Sequence, residues 1–338
     1  MRNVPRGNLR NRTMPPPMRV VFFGTPQFAV PTLERLLDSE HQVVAVVSQP
    51  DRPAGRGLKM HAPPVKELAL ARGIPVHQPA SVRKPEFEAW LRGQRADVAV
   101  VVAYGKILPQ NVLDAVPHGF LNVHASLLPA YRGAAPIQWA IVRGETKTGI
   151  SIMKLDAGMD TGDVVSMAEV PILEDDDANS LSDMLSVVGA HEMLKVLDRL
   201  ARDGRLDATP QDHSRASIAP LIERQHARID WNRSADEVIC LVRGFVAWPK
   251  AYTSLGGKDL KVTKVEPCAS EWLASERFGG ADVPNGTVVD TIRGAGPVVK
   301  CGKGFVILAR VQPEAKPEMG GMDAVNGGLL RIGTRLGA

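Results

Sequence analysis

Between Met18 and Val170, six short runs, MRVVFFG, QVVAVVS, DVAVVVA, GFLNVH, TGISIM and DVVSMAEV, are rich in β-branched residues and continuously apolar. A half-exposed strand would alternate. Continuous runs belong to strands buried on both faces, and the helix-length stretches between them supply the covering layers. The expected fold is therefore α/β, a doubly wound, mostly parallel sheet. After the last run, the segment EDDDANSLSDMLSVVGAHEMLKVLDRLARDG reads as one helix of about 25 residues. Its acids lie at the positive end, with Lys195, Arg199 and Arg202 near the negative end. This helix closes a first domain over residues 18–204.

At 338 residues the chain exceeds the size at which a single core stops growing, so a second domain is expected. Residues 205–228 carry proline, serine and scattered charge without periodicity and read as a linker. From 229 to 338, a short amphipathic helix around Ser234 to Val242 precedes AYTSL, LKVTKVE, GTVVD, PVVK and GFVILARV, separated by turn residues. Short strands at that spacing indicate a small OB-like β-barrel.

Several classes are set aside by composition. No apolar run approaches the roughly 20 residues that a bilayer demands, so no membrane is expected as a partner. Residues 1–17, MRNVPRGNLRNRTMPPP, lack the apolar core of a secretory signal and read as a disordered arm, although acid-free, arginine-bearing starts also occur in organelle transit peptides. The net charge is +4, yet Arg2, Arg6, Arg10, Arg12 and Arg19 stand at this end without one acid. The remaining chain carries about −1, so any polyanion must be met by a local patch. Cys240, Cys268 and Cys301 are widely spaced and lack histidines at metal-ligand spacing. They are expected to be structural thiols of a reducing cytoplasm, with no metal site.

The first run ends at Gly24, followed by TPQFAVP and a helix, a plausible ligand edge. Neither G-x-G-x-x-G nor G-x-x-x-x-G-K-[ST] is present there, which counts against a nicotinamide or nucleotide enzyme. The most informative segment is GFLNVHASLLPAYRGAAPIQ, residues 119–138. In a strand Asn122 and His124 share one face, with Leu121 and Val123 on the other. Polar side chains there need partners, because an unsatisfied buried group costs roughly 1–3 kcal/mol. They either hydrogen-bond the following loop or serve a ligand at the carboxyl end of the strand.

The loop SLLPAYRGAAP resembles the signature of the 10-formyltetrahydrofolate formyltransferase family. In chain order, FFGTPQFAVPTLERLL, QPDRPAGRG, VVAYGKILP, LDAGMDTGDVV and ARIDWNRSADEVICLVRGFVAWPKAY extend the resemblance from Met18 to near the C terminus. It implies a formyltransferase, Rossmann-like first domain that passes the formyl group of 10-formyltetrahydrofolate to the amino group of methionine esterified to initiator tRNA. The folate is then a co-substrate, no cofactor is held permanently and no protein partner is required. The family's catalytic residues fall on Asn122, His124 and Asp160. Asp160 is singled out by resemblance alone, since Asp156 and Asp163 share its glycine-containing turn. Folate contacts fall on Ser126, Leu127, Leu128 and Pro129, and the loop bordering the pterin on Tyr104, Gly105, Ile107 and Leu108.

On this reading Asn122 donates to the oxyanion of a tetrahedral intermediate. His124 is a second donor or a proton shuttle, biased toward its donating form by Asp160. The loop QPDRPAGRGLKMHAPPVK sets Arg52, Arg56, Lys59 and Lys66 against Asp51, a local patch suited to an RNA stem read by shape. Of these, Arg52, Arg56 and Lys59 are the expected tRNA contacts. Relatives commonly follow RPAGRG with two lysines, whereas Leu58 and a single Lys59 stand here, which weakens phosphate contacts. Lys250, Lys258, Lys261 and Lys264 suggest a further tRNA surface by charge alone. Rival readings are a sugar-nucleotide or purine-intermediate formyltransferase, a non-catalytic RNA- or folate-binding protein, and an oxidoreductase on fold alone.

Overall fold

A computed structural model describes residues 16–54, 59–268 and 283–337. The arm expected over residues 1–17 lies outside the described residues apart from Pro16 and Pro17. Along the chain run β1 (Arg19–Gly24), α1 (Val30–Leu37), β2 (Gln42–Val47), β3 (Arg52–Ala54), β4 (Lys59–His61), α2 (Pro64–Ala71) and β5 (Val76–His77). Next come α3 (Pro85–Gly93), β6 (Val98–Val102), α4 (Gln110–Leu113), β7 (Phe120–His124), β8 (Arg132–Gly133), α5 (Pro136–Val142) and β9 (Lys147–Lys154). They are followed by β10 (Val164–Pro171), α6 (Ala178–Asp203), β11 (Ile218–Ala219), α7 (Ala235–Gly244), β12 (Tyr252–Leu255) and β13 (Lys258–Pro267). The last are β14 (Val288–Ile292), β15 (Gly296–Lys300), β16 (Phe305–Pro313), β17 (Met319–Gly320) and α8 (Gly321–Asn326). Contacts group the chain into one compact unit of residues 1–123, 152–157 and 190–209 and a second of 124–151, 158–189 and 210–338.

All six apolar runs form strands, in a seven-stranded sheet of order β10–β9–β7–β6–β1–β2–β5. In the first unit β1 pairs in parallel with β2 and with β6, β6 with β7, and β2 with β5. Their side chains are buried on both faces, as the absence of alternation requires: Val20, Val21, Phe22 and Phe23 of β1 are all 0% exposed. Phe23 meets Tyr104 edge-on at 5.4 Å and Phe120 at 5.3 Å between ring centroids, which anchors β1 to β7 and to the loop that follows β6. The covering helices α1, α2 and α3 each carry a proline in their first turn, where a missing N–H costs nothing. The expected long helix is α6, of 26 residues. Asp177 receives the N–H groups of Asn179 and Ser180 at its start.

The second unit holds an antiparallel sheet of order β12–β13–β16–β15–β14, with β17 on β16. It encloses a core that includes Trp231, Leu260, Val262, Val299 and Leu308, as a small barrel-like domain requires. A capping box between Ser234 and Glu237 starts α7. Where α7 crosses α5, a side chain at Gly244 would place Cβ 2.4 Å from Val142, so only glycine lets the helices approach this closely. Residues 210–228 are ordered: β11 pairs in parallel with β8, and the Trp139 indole donates to the Pro220 carbonyl at 2.8 Å. Cys240, Cys268 and Cys301 are free thiols pushed up by burial, Cys301 to about 12. No described helix is long and apolar enough to cross a membrane.

Candidate active site

Strand β7 is buried throughout its length, and its alternation sets Asn122 and His124 on one face. Asn122 is 9% exposed, and its carboxamide has no hydrogen-bond partner among the described residues. Its polar atoms are not among the buried, unpartnered ones, so the amide is reached from solvent and two donors and an acceptor stand free.

His124, 6% exposed, is held through Nε2 and faces a carboxylate with Nδ1. Its Nε2 lies 3.0 Å from the Tyr131 carbonyl. A carbonyl can only accept, so Nε2 carries the proton and a neutral ring has its lone pair on Nδ1. That Nδ1 stands 3.6 Å from Asp160 Oδ2, too far for a hydrogen bond but close for an ion pair once the ring is protonated. Asp160 Oδ2 in turn accepts from the Gly133 N–H at 2.8 Å. The structure thus brings Asp160, rather than Asp156 or Asp163, to His124.

The loop that carries these contacts is braced from within. Ser126 donates its hydroxyl to Ala130 carbonyl at 2.6 Å. Ser151 donates to the Ser126 carbonyl and accepts from the Leu128 N–H. Leu128–Pro129 is a cis peptide. The Ser126 hydroxyl and Leu128 N–H are therefore committed inside the turn, and Leu127 and Pro129 carry its partly exposed surface. Tyr131, at φ +60°, donates its N–H to Ser217 Oγ and its phenol to Glu145. Burial, with Glu145 beside it, pushes that phenol up to about 12, so it stays a donor. At Gly133, φ is +118° and an added Cβ would meet the Ala219 carbonyl oxygen at 2.7 Å.

In the first unit, the loop after β6 is anchored rather than open. Tyr104 and Leu108 side chains lie in the core, and burial raises the Tyr104 phenol to about 12. The Tyr104 carbonyl accepts from Thr25 Oγ at 3.3 Å and Gln49 Nε2 at 3.1 Å. Only Gly105, at φ +80°, and Ile107, 68% exposed, present free surface on the loop from Tyr104 to Leu108, apart from the partly buried Lys106.

The basic patch sits on the hairpin β3–β4. Arg52 is exposed, Lys59 lies in β4, and Arg56 with Leu58 falls outside the described residues. Lys66 is not a free cation: its Nζ meets both Asp51 oxygens at 2.8 Å and Gln78 at 2.9 Å. Hydrogen bonds from Gln78 and Lys66 hold the Asp51 carboxyl below its usual range. In the second unit Lys264 pairs with Glu266 at 3.1 Å, which weakens the case from charge for Lys264 and leaves it unchanged for Lys250, Lys258 and Lys261. A cleft of about 570 Å³ lined by Arg224, Arg228, Tyr252 and Asp259 lies in the same unit.

Sequence reasoning did not single out Arg132 and Gln211. Arg132 lies within the loop motif SLLPAYRGAAP, whereas Gln211 lies in an aperiodic stretch. Gln211 is 8% exposed and donates to the carbonyls of Asp160 and Gly162 at 2.9 and 2.7 Å. Its partners lie 51 and 49 residues away in sequence, and no local pattern encodes such a contact.

Residues 18–197 match the family model described as formyl transferase, and residues 221–328 that described as formyl transferase, C-terminal domain. A methionyl-tRNA formyltransferase from Sorangium cellulosum is 50% identical over 320 residues, 95% of this chain and 100% of its own. Another protein of that name from Trichlorobacter lovleyi is 45% identical over 318 residues, 94% of this chain and 96% of its own. Among solved structures, HypX from Aquifex aeolicus in complex with tetrahydrofolic acid aligns at a TM-score of 0.62 and 18% identity, which speaks for the fold alone. The alignment covers 93% of this chain, which spans about half of that protein, 48% of its length.

Proposed function

The chain belongs to the formyl transferase family, and from that premise we propose that it transfers the formyl group of 10-formyltetrahydrofolate to the α-amino group of methionyl initiator tRNA, giving N-formylmethionyl-tRNA. The observation that carries the choice of substrate is the end-to-end identity with relatives of that name, across both domains. In this reading residues 18–204 form the catalytic domain, 205–228 connect it to a tRNA-binding domain at 229–338, and the protein works in the cytoplasm. The folate is a co-substrate, and no cofactor is bound permanently.

The geometry around His124 supports a specific division of labour. An α-amino group titrates near pH 8, so supplying the neutral amine at pH 7 costs only about 1.4 kcal/mol. Building the tetrahedral intermediate is harder. The amine nitrogen bonds to the formyl carbon, and the carbonyl electrons move onto oxygen. Asn122 donates its free amide N–H to that oxygen, an interaction of the kind that contributes about 2.7–4 kcal/mol. With Nε2 pinned by the Tyr131 carbonyl, Nδ1 of His124 takes the proton released by the amine. Asp160 stabilises the imidazolium so formed. As the bond to folate N10 breaks, Nδ1 returns that proton to N10. Arg52, Arg56 and Lys59 meet the acceptor stem, and the turn Ser126–Pro129 and the loop at Tyr104, Gly105, Ile107 and Leu108 border the folate.

The test is formylation with 10-formyltetrahydrofolate and charged initiator methionyl-tRNA, beside elongator methionyl-tRNA and free methionine. Product on the initiator alone is expected. Folate consumption with formyl transfer only to a small amine would overturn the acceptor.

A further inference from the structure

We propose that Gln211, gripped by Arg132, is a positioning residue that fixes Asp160 opposite His124; the assignment rests on the reading of His124 and Asp160 as catalytic. Asp160 has φ +53°, the left-handed region that a non-glycine residue occupies only when its surroundings over-determine it. Three contacts do so. The Gly133 N–H meets Oδ2, and the Gln211 carboxamide donates to the carbonyls on either side of Thr161, those of Asp160 and Gly162.

The orientation of the Gln211 amide follows from chemistry. Arg132 directs Nε and Nη2 at Gln211 Oε1, at 3.1 and 2.7 Å, and a guanidinium only donates. The oxygen therefore faces Arg132, and the NH2 must face the aspartate turn. Arg132 is itself 6% exposed, and its Nη2 also meets His213 Nδ1 at 3.1 Å. Among the described residues no carboxylate pairs with it. Burying a guanidinium is costly, and spending its hydrogen bonds on one glutamine oxygen makes sense where the direction of that amide matters. A 1 Å error in Asp160 acts directly on the imidazolium that forms in the reaction.

The decisive variant is Gln211→Glu, which keeps volume and the grip of Arg132 but turns the donor into an acceptor facing two carbonyls. Gln211→Ala accompanies it. Both are expected to lower kcat about 10- to 100-fold while KM for folate and tRNA stays within about twofold. In an Asp160→Asn background, Gln211→Glu is expected to add less than about twofold, because the two act through one group. Independent, multiplying effects, or a rise in KM at unchanged kcat, would overturn the assignment. Asp160→Asn crippled with Gln211→Glu at wild-type kcat would overturn it alone. Full turnover in Asp160→Asn would overturn the reading of the centre and the assignment together.

Discussion

Two loops leave the carboxyl ends of strands in this molecule, and they are built on opposite plans. The loop after β7 commits its polar groups to the surrounding fold: Ser126 to Ala130 within the turn, and Leu128 to Ser151, Tyr131 to Ser217 and Gly133 to Asp160 outside it. The described part of the hairpin after β2 is tied at its root, where Lys66, Asp51 and Gln78 bind one another, and beyond it Arg52 is exposed. A loop tied at many points holds a side chain such as His124 to a fraction of an ångström. If the hairpin meets RNA as proposed, a fixed base with exposed cations is what phosphate contacts need.

This contrast breaks most sharply at the centre. His124→Ala is expected to lower kcat about 10²- to 10⁴-fold, and Asn122→Ala about 10²- to 10³-fold, with KM little changed. Steady-state kinetics that moved KM instead would make the β7 loop a binding surface like the hairpin. Next in size is Gly133→Ala, whose Cβ meets the Ala219 carbonyl at 2.7 Å in a backbone conformation of φ +118°. A loss of about 1–3 kcal/mol in denaturant unfolding is expected, with a fall in kcat as the Asp160 anchor shifts.

The hairpin root should behave differently. Lys66→Met is expected to raise KM for tRNA about fivefold while kcat and KM for folate hold, and a kcat effect would show that the root serves chemistry. Its acid partner gives a pH signature. The Asp51 carboxyl is depressed in the folded chain, so its contribution to stability is complete above the unfolded value near ~4 and is lost as pH falls through the lower folded value. Melting temperatures of wild type and Asp51→Asn should therefore differ at pH 6 and converge in strong acid. Smallest is Arg52→Ala, expected to raise KM for tRNA about threefold and to reduce the slope of log KM against log salt by about 1. An unchanged slope would remove Arg52 from the RNA contact.

Much of this was legible in the sequence because it is periodic or local. The continuous apolar runs became strands, parallel and largely buried in β1, β2, β6 and β7 but partly exposed in β10, and the i, i+2 placement of Asn122 and His124 put both on one face of β7. What periodicity could not reach was pairing across the chain. Strands β5, β8 and β11 are two residues each, too short for any pattern. Asp160 could be told from Asp156 and Asp163 only by resemblance, since what selects it is a left-handed backbone and a contact with residue 133. Lys66 looked like one more cation until its fold partners, Asp51 and Gln78, neutralised it.

The two-residue ladder between β8 and β11 joins positions 132–133 to 218–219. Its consequence is one of timing. Closing so long a stretch carries an entropic cost that contacts local to the turn do not have, and the ladder cannot form before residue 219 is made. During synthesis, every residue of the Asn–His–Asp centre has left the ribosome well before Ala219 is available to clamp the loop that carries it. A nascent chain ending near residue 204 carries Asn122, His124 and Asp160 but lacks both Gln211, which holds the Asp160 carbonyl, and Ala219, which pairs with Gly133.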